Sequence, residues 1–172
     1  MTGGWRNWLR SALLAVPTMA CSTATRVEYH HDPTTNLHET YDLSRPELQP
    51  FTVDGVVVSP YFKLLTHDST RVLLRLVSTK QVSVTVGGAV LSGQGAAPVH
   101  SFDVATTVLT SEPVGQGAWR AAVTVGDLAN TELDALGTGG ATFAVDVRVG
   151  EGEARRMSFE LTRHVTEQMV TH

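Results

Sequence analysis

The chain has 172 residues, a formal net charge of −4 and one cysteine. This length suits one domain with a sizeable core and is too short to predict two. The acidic balance, without a run of basic residues, argues against nucleic acid as a partner, and a single cysteine excludes an internal disulfide framework.

The first 20 residues have the layout of a secretory signal peptide. Residues 1–10 contain Arg6 and Arg10 and no acidic residue, and residues 11–20 are uncharged and end in the small residue Ala20. A positive start, a short apolar run and a small residue before the cleavage point define such a signal. The apolar run is shorter than the roughly 20 residues of a membrane span. We therefore expect residues 1–20 to be removed.

Cys21 follows this segment directly and resembles the acylated cysteine of bacterial lipoproteins. The resemblance implies that Cys21 carries a diacylglycerol and begins the mature chain. Ser22, where aspartate would favour the inner membrane, implies the periplasmic face of the outer membrane. Thr18 and Met19 depart from the usual signal of that class. A soluble periplasmic or secreted protein cleaved before Cys21 or after Ala24, or a cytosolic protein, are the alternatives.

The mature chain opens with a predicted tether and a first strand. Residues 21–26 form the lipidated cysteine and a short polar tether, and residues 27–172 form one β domain. The first strand is predicted over residues 38–43. A second strand over residues 56–59 ends or bends at Pro60, because proline donates no ladder hydrogen bond.

The middle of the chain alternates between apolar and polar residues with a period of two, which is typical of half-buried strands. We predict strands over residues 71–77, 81–86 and 99–109. Gly87-Gly88 suits a two-residue hairpin turn. The residues expected to face the core in the first two strands are Val72, Leu74, Leu76, Val82, Val84 and Val86.

The last third predicts three strands and the only helix. A strand over residues 119–125 ends at Gly126, and a helix follows over residues 127–136 with Gly137 as its stop. A hairpin then places residues 143–149 against residues 157–161. Eight or nine strands predict an all-β fold, an antiparallel two-sheet sandwich (Ig-like or transthyretin-like) with one short helix, and a closed barrel is the alternative.

Two glycine pairs invite comparison with phosphate-binding loops. Gly93-Gln94-Gly95 and Gly115-Gln116-Gly117 resemble the opening of a dinucleotide fingerprint. That chemistry requires a helix N-terminus directly after the loop, and neither pair precedes a helix-forming stretch. We interpret both as hairpin loops and predict no cofactor.

Histidines near the tether are the candidate metal ligands. His30, His31, Asp32 and His38 lie close together in the sequence, without the spacing of a known zinc motif. We predict solvated loop histidines and no metal site. Further along the chain, His164 should be exposed and His100 partly buried at a sheet rim.

The sequence predicts no catalytic residues. It contains no Gly-x-Ser-x-Gly elbow, and lipidation would consume its only thiol. Trp119, Tyr41 and Tyr61 are the candidates for a sugar-binding surface, although the alternation around Trp119 favours a place in the core.

Residues 27–41 resemble the opening of a family of bacterial outer-membrane lipoproteins of unknown function, through Val27-Glu-Tyr29, Asp32-Pro33 and Thr40-Tyr41. Small β-sandwich lipoproteins that dock on secretion machines are a second analogy, of fold and anchor only. No functional residue follows from either.

We expect a non-enzymatic envelope lipoprotein, an adaptor or structural module that binds a protein partner at the outer membrane and is held there by its lipid. The alternative is a periplasmic module that binds glycan, peptidoglycan or a small ligand, and an envelope enzyme ranks third.

Overall fold

A computed structural model describes residues 21–35, 42–66, 68–95, 97, 99–111 and 118–171. These residues form nine strands, two short α-helices and one 3-10 helix. The strands are β1 Cys21–His30, β2 Thr52–Val53, β3 Val56–Thr66, β4 Ser69–Ser78, β5 Ser83–Gly93, β6 Val99–Leu109, β7 Trp119–Ala129, β8 Ala141–Val149 and β9 Arg155–Thr171. The helices are α1 Asp32–Thr35 and α2 Asn130–Ala135, and the 3-10 helix is Pro46–Phe51.

The strands form two separate antiparallel sheets. One has the order β1-β9-β8-β5-β6 and the other the order β2-β3-β4-β7. The prediction of an all-β two-sheet sandwich is confirmed, and the barrel alternative is wrong because each sheet has two edge strands. The number of helices was underestimated, since α1 and the 3-10 helix are too short to produce a periodic pattern.

The main core lies between the two sheets and follows the predicted alternation. Val72, Leu74 and Leu76 of β4 are fully buried, and so are the inward residues of β5 and β8. The hairpin of β8 and β9 has the predicted facing residues, with Phe143 opposite Phe159 and Val145 opposite Met157.

A second apolar cluster lies on the outer face of the four-stranded sheet. Val57 and Val77 point away from the main core and are nevertheless buried, because they pack with Leu48 of the 3-10 helix and with Ala118. The strand alternation alone would have assigned these two valines to solvent.

Three predicted strand ends are wrong. At Gly87-Gly88, β5 continues as a bulge instead of a turn, since the register shifts there against both β6 and β8. Gly126 lies inside β7, and a Cβ at that position would come within 2.5 Å of the Phe102 ring. β3 continues through Pro60, because within the described residues Pro60 pairs with β4 alone and has no second ladder to which it would have to donate.

The first strand also differs from the prediction. Residues 21–26, expected as a tether, belong to β1, and the predicted strand over residues 38–43 lies mostly outside the described residues, with residues 43–44 in a turn. The physical reason is a distant partner: β9 pairs with β8 up to Leu161 and then with β1 from Thr162 to Thr171. Beyond β8, β1 and β9 therefore form a two-stranded ribbon.

The helix predicted over residues 127–136 is shorter, because residues 127–129 still belong to β7. The N-cap residue is Ala129 instead of Asp127 or Thr131. Its backbone amide donates a hydrogen bond to the Glu132 carboxylate at 2.8 Å. Gly137, at φ +93°, ends the helix as predicted. Within the described part of the chain, no helix has the length and apolar character of a membrane span.

Candidate functional site

His31 is buried, which contradicts its prediction as a solvated loop residue. Its side chain contacts the Thr34 hydroxyl at 2.7 Å and lies edge-on to the rings of Phe51 and Phe159. Ser59 donates to the same Thr34 oxygen at 2.8 Å. Burial lowers the pKa of His31 to about 4, against a weaker opposing effect of the Asp32 charge. The ring is therefore neutral at pH 7 and fixes α1 against β3.

Of the other candidate metal ligands, His30 lies on the outer face of β1, beside His164 of β9, and Asp32 is the first residue of α1. His30 contacts the Glu28 carboxylate at 3.2 Å, and His164 lies 3.9 Å from the Asp32 carboxylate. The two histidine rings meet edge to face, with centroids 4.8 Å apart. In the described residues, no three His, Cys, Asp or Glu side chains are placed to hold one metal ion. His38 and His67 lie outside those residues.

A row of polar side chains crosses three strands on this same outer face. Ser92 of β5 lies opposite Thr142 of β8, and Thr142 lies opposite Glu160 of β9. Directly opposed side chains in antiparallel strands are about 5 Å apart. One step along β9, Thr162 donates to the Asp32 carboxylate at 3.1 Å, which joins this row to the histidine pair.

The row ends in a depression of about 440 Å³, which we call the polar cleft. Its polar side chains are Gln94, Thr138, Thr142, Glu160, Thr162 and Arg163. The Gln94 side chain packs closely on Gly139, since a Cβ atom at position 139 would come within 2.3 Å of the amide oxygen of Gln94. The glycine-rich loop after α2 therefore holds the Gln94 amide at the rim of the cleft.

Arg163 forms the inner wall of the polar cleft. Its side chain is 19% exposed and lies 3.8 Å from the Asp134 carboxylate, longer than a hydrogen bond. Its Nε atom is buried and has no hydrogen-bond partner within the described residues. On the core side Arg163 contacts the Tyr29 hydroxyl. Desolvation raises the pKa of Tyr29, and the charge of Arg163 and its hydrogen bond to Tyr29 oppose this shift. The Arg163 side chain therefore contacts both Tyr29 and Asp134, and its Nε atom is left without a partner within the described residues.

The glycine pair that resembles a phosphate-binding loop lies beside this cleft. Gly93-Gln94-Gly95 forms the end of β5 and the start of its connection to β6, which confirms the interpretation as a hairpin loop. A Cβ at Gly93 would come within 2.3 Å of the Leu136 carbonyl oxygen, so close packing explains this glycine. Residues 115–117 lie outside the described residues.

The predicted aromatic candidates do not converge. Trp119 is half-buried and belongs to neither group of fully buried core residues. Tyr61 lies on the four-stranded sheet, with the Arg75 guanidinium 4.8 Å from its ring centre. Trp119 and Tyr61 face Ser78 and Leu73 of β4, five residues apart, or about 17 Å along the strand. Tyr41 is outside the described residues.

The second notable surface is β6, an edge strand of 11 residues. Val99 and Leu109 at its two ends are 62% and 60% exposed. The strand contains no lysine, arginine, glutamate or proline, and Asp103 is its only carboxylate. The structure records no ladder between β6 and a strand other than β5, among the residues that it describes. His100 is partly buried, as predicted, with Nδ1 3.8 Å from the Glu132 carboxylate.

The comparisons with known proteins leave the family open. No known protein family matches the chain, and no curated protein matches it. Among solved structures, the chain is similar to a protein from Archaeoglobus fulgidus, known from a crystal structure, at 12% identity and a TM-score of 0.34. The match covers 67% of this chain and 94% of that one. The function is therefore argued from the residues of this chain.

Proposed function

We propose that the protein is a non-enzymatic lipoprotein of the outer membrane, an adaptor that binds an extended segment of an envelope protein along β6. The lipid on Cys21 holds the domain at the periplasmic face, and the partner adds a strand to the five-stranded sheet. In this mode of recognition, main-chain hydrogen bonds supply affinity and side-chain contacts supply selectivity.

The observation that supports this proposal is the weak protection of the β6 edge between its bulge and its end. Proteins protect edge strands with charged side chains, proline or short length, since unpaired N–H and C=O groups invite a further strand. β6 has two protective features, the charge of Asp103 and a bulge at residues 103–104 opposite Gly88, and just past its end Ser111 forms one bridge with Arg120. Beyond that bulge, residues 105–109 are uncharged, and four of the five are exposed. This stretch is the proposed docking segment.

The experiment is site-specific crosslinking in the bacterium that produces the protein. A photoreactive amino acid at Thr107, in the docking segment, should produce a discrete adduct with one envelope protein. The matched position is Glu151, exposed in the β8–β9 turn, which should produce none.

A second variant tests whether strand addition is the mode of binding. Thr106→Lys places a charge on the edge and should abolish the Thr107 adduct while the thermal midpoint stays unchanged. Equal adducts at Thr107 and Glu151, or an adduct that survives Thr106→Lys, would contradict the proposal.

A further inference from the structure

We infer that the polar cleft is a binding site for a short, uncharged glycan of one or two sugar rings. The inference is independent of the docking segment, because the cleft lies between β8, β9 and the loops after β5 and α2. Residues 105–109 pair with the opposite end of β5, residues 83–87. Its volume of about 440 Å³ lies within the usual range of small-ligand sites, about 300–1,000 Å³.

The polar lining fits a ligand rich in hydroxyl groups. A sugar hydroxyl both donates and accepts hydrogen bonds, so its site needs both kinds of partner. Gln94 supplies an amide with both, Glu160 accepts, and Arg163 donates. Thr162 directs its own proton to Asp32, which leaves its oxygen free to accept a hydrogen bond from a ligand.

The charges of the cleft exclude the other common ligand classes. Glu160 would repel a phosphate or carboxylate, and Arg163, the only cationic side chain among the described residues of the lining, is already close to Asp134. A cationic ligand would be repelled by the Arg163 guanidinium. An apolar ligand would leave these polar groups without partners, which is unfavourable. An uncharged polyhydroxylated molecule satisfies both charged groups.

The site is also held in shape before a ligand arrives. Thr142 and Glu160 are ladder partners on β8 and β9, and Gln94 is packed against Gly139. At Gly140, φ is +91° and a Cβ would come within 2.7 Å of the Leu161 carbonyl oxygen. Glycine is therefore required for the loop to approach β9 so closely. A rigid site loses less conformational freedom on binding.

The test is a titration of the full protein, purified in detergent, with chitobiose, cellobiose and maltose. At least one should bind with a dissociation constant of about 1 mM or lower. Glu160→Gln and Thr142→Val each remove one hydrogen-bonding function with little change in shape. Each should weaken that binding about tenfold, the size expected for one hydrogen bond in a site.

The control is Glu151→Gln, which makes the same change in charge at an exposed turn and should bind as the wild type does. Thermal midpoints of all variants show that the fold is intact. Absence of saturation by all three disaccharides at about 10 mM, or unchanged binding by both cleft variants, would overturn the inference. Neither result would affect the Thr107 adduct, so failure of this inference and failure of the adaptor proposal are distinguishable.

Discussion

His31 shows how one buried side chain couples the fold to pH. In the folded protein its pKa is about 4, because burial disfavours the charged ring, whereas an unfolded chain has the ordinary value near 6.5. Between these two values the unfolded chain binds a proton that the folded protein does not. The free energy of unfolding must therefore fall as the pH falls from 6.5 to about 4.

The expected size of this effect is about 3 kcal/mol over the whole interval. We predict that His31→Gln flattens the dependence of stability on pH between 7 and 4, measured by denaturant unfolding at several pH values. His164→Gln is the control, since that ring is 49% exposed, and should leave the slope as in the wild type. A wild-type stability that does not fall in this window would contradict the buried neutral state.

At the scale of strands, Gly126 allows β6 and β7, which are edge strands of the two different sheets, to approach each other. The Phe102 ring occupies the space where a side chain at position 126 would begin. We predict that Gly126→Ala lowers the free energy of unfolding by about 1–3 kcal/mol, because the ring or the strand must move.

The control for this prediction is Gly88→Ala. A Cβ at Gly88 would lie 3.5 Å from the Asp146 carboxylate, an ordinary contact, so its cost should be smaller. Denaturant midpoints of the two variants provide the comparison. Equal midpoints would show that the position of the Phe102 ring does not require a glycine at position 126.

Strand identity was predictable where apolar residues alternate, and strand ends were not. β8 shows the predicted facing residues because alternation directly reports burial on one side. A glycine pair is compatible with a turn or a bulge, and only the neighbouring strands β6 and β8 decide between them at Gly87-Gly88. β1 lacks a clear alternation, and its partner residues are more than 130 positions away.

The polar cleft was not predictable from the sequence for a related reason. Gln94, Thr142 and Glu160 are far apart in the chain, and each alone indicates an outward position on a strand or loop. Only the register of β8 and β9 brings the last two together. His31 was misassigned because its neighbours in sequence are polar, while the residues that bury it, Phe51 and Phe159, are distant.

At the scale of the whole molecule, the proposed anchor makes a direct prediction. Cys21→Ala should move the protein from the membrane fraction to the soluble fraction and abolish labelling with a fatty-acid analogue, since the acyl chains supply the membrane affinity. Ser22→Ala, which keeps the thiol, is the control and should remain bound and labelled. A wild-type protein that takes up no label and begins at Thr25 would contradict lipidation.

The ribbon of β1 and β9 also places Thr171 beside the proposed anchor residue. Cys21 is paired with Thr171, so the Cα atom of Thr171 lies about 5 Å from the Cα atom of the residue that would carry the lipid. An affinity tag fused after His172 would then emerge against the headgroups of the bilayer, where antibodies and resin have poor access. An epitope inserted in the turn at residues 150–153, at the opposite end of β9, would face the periplasm instead.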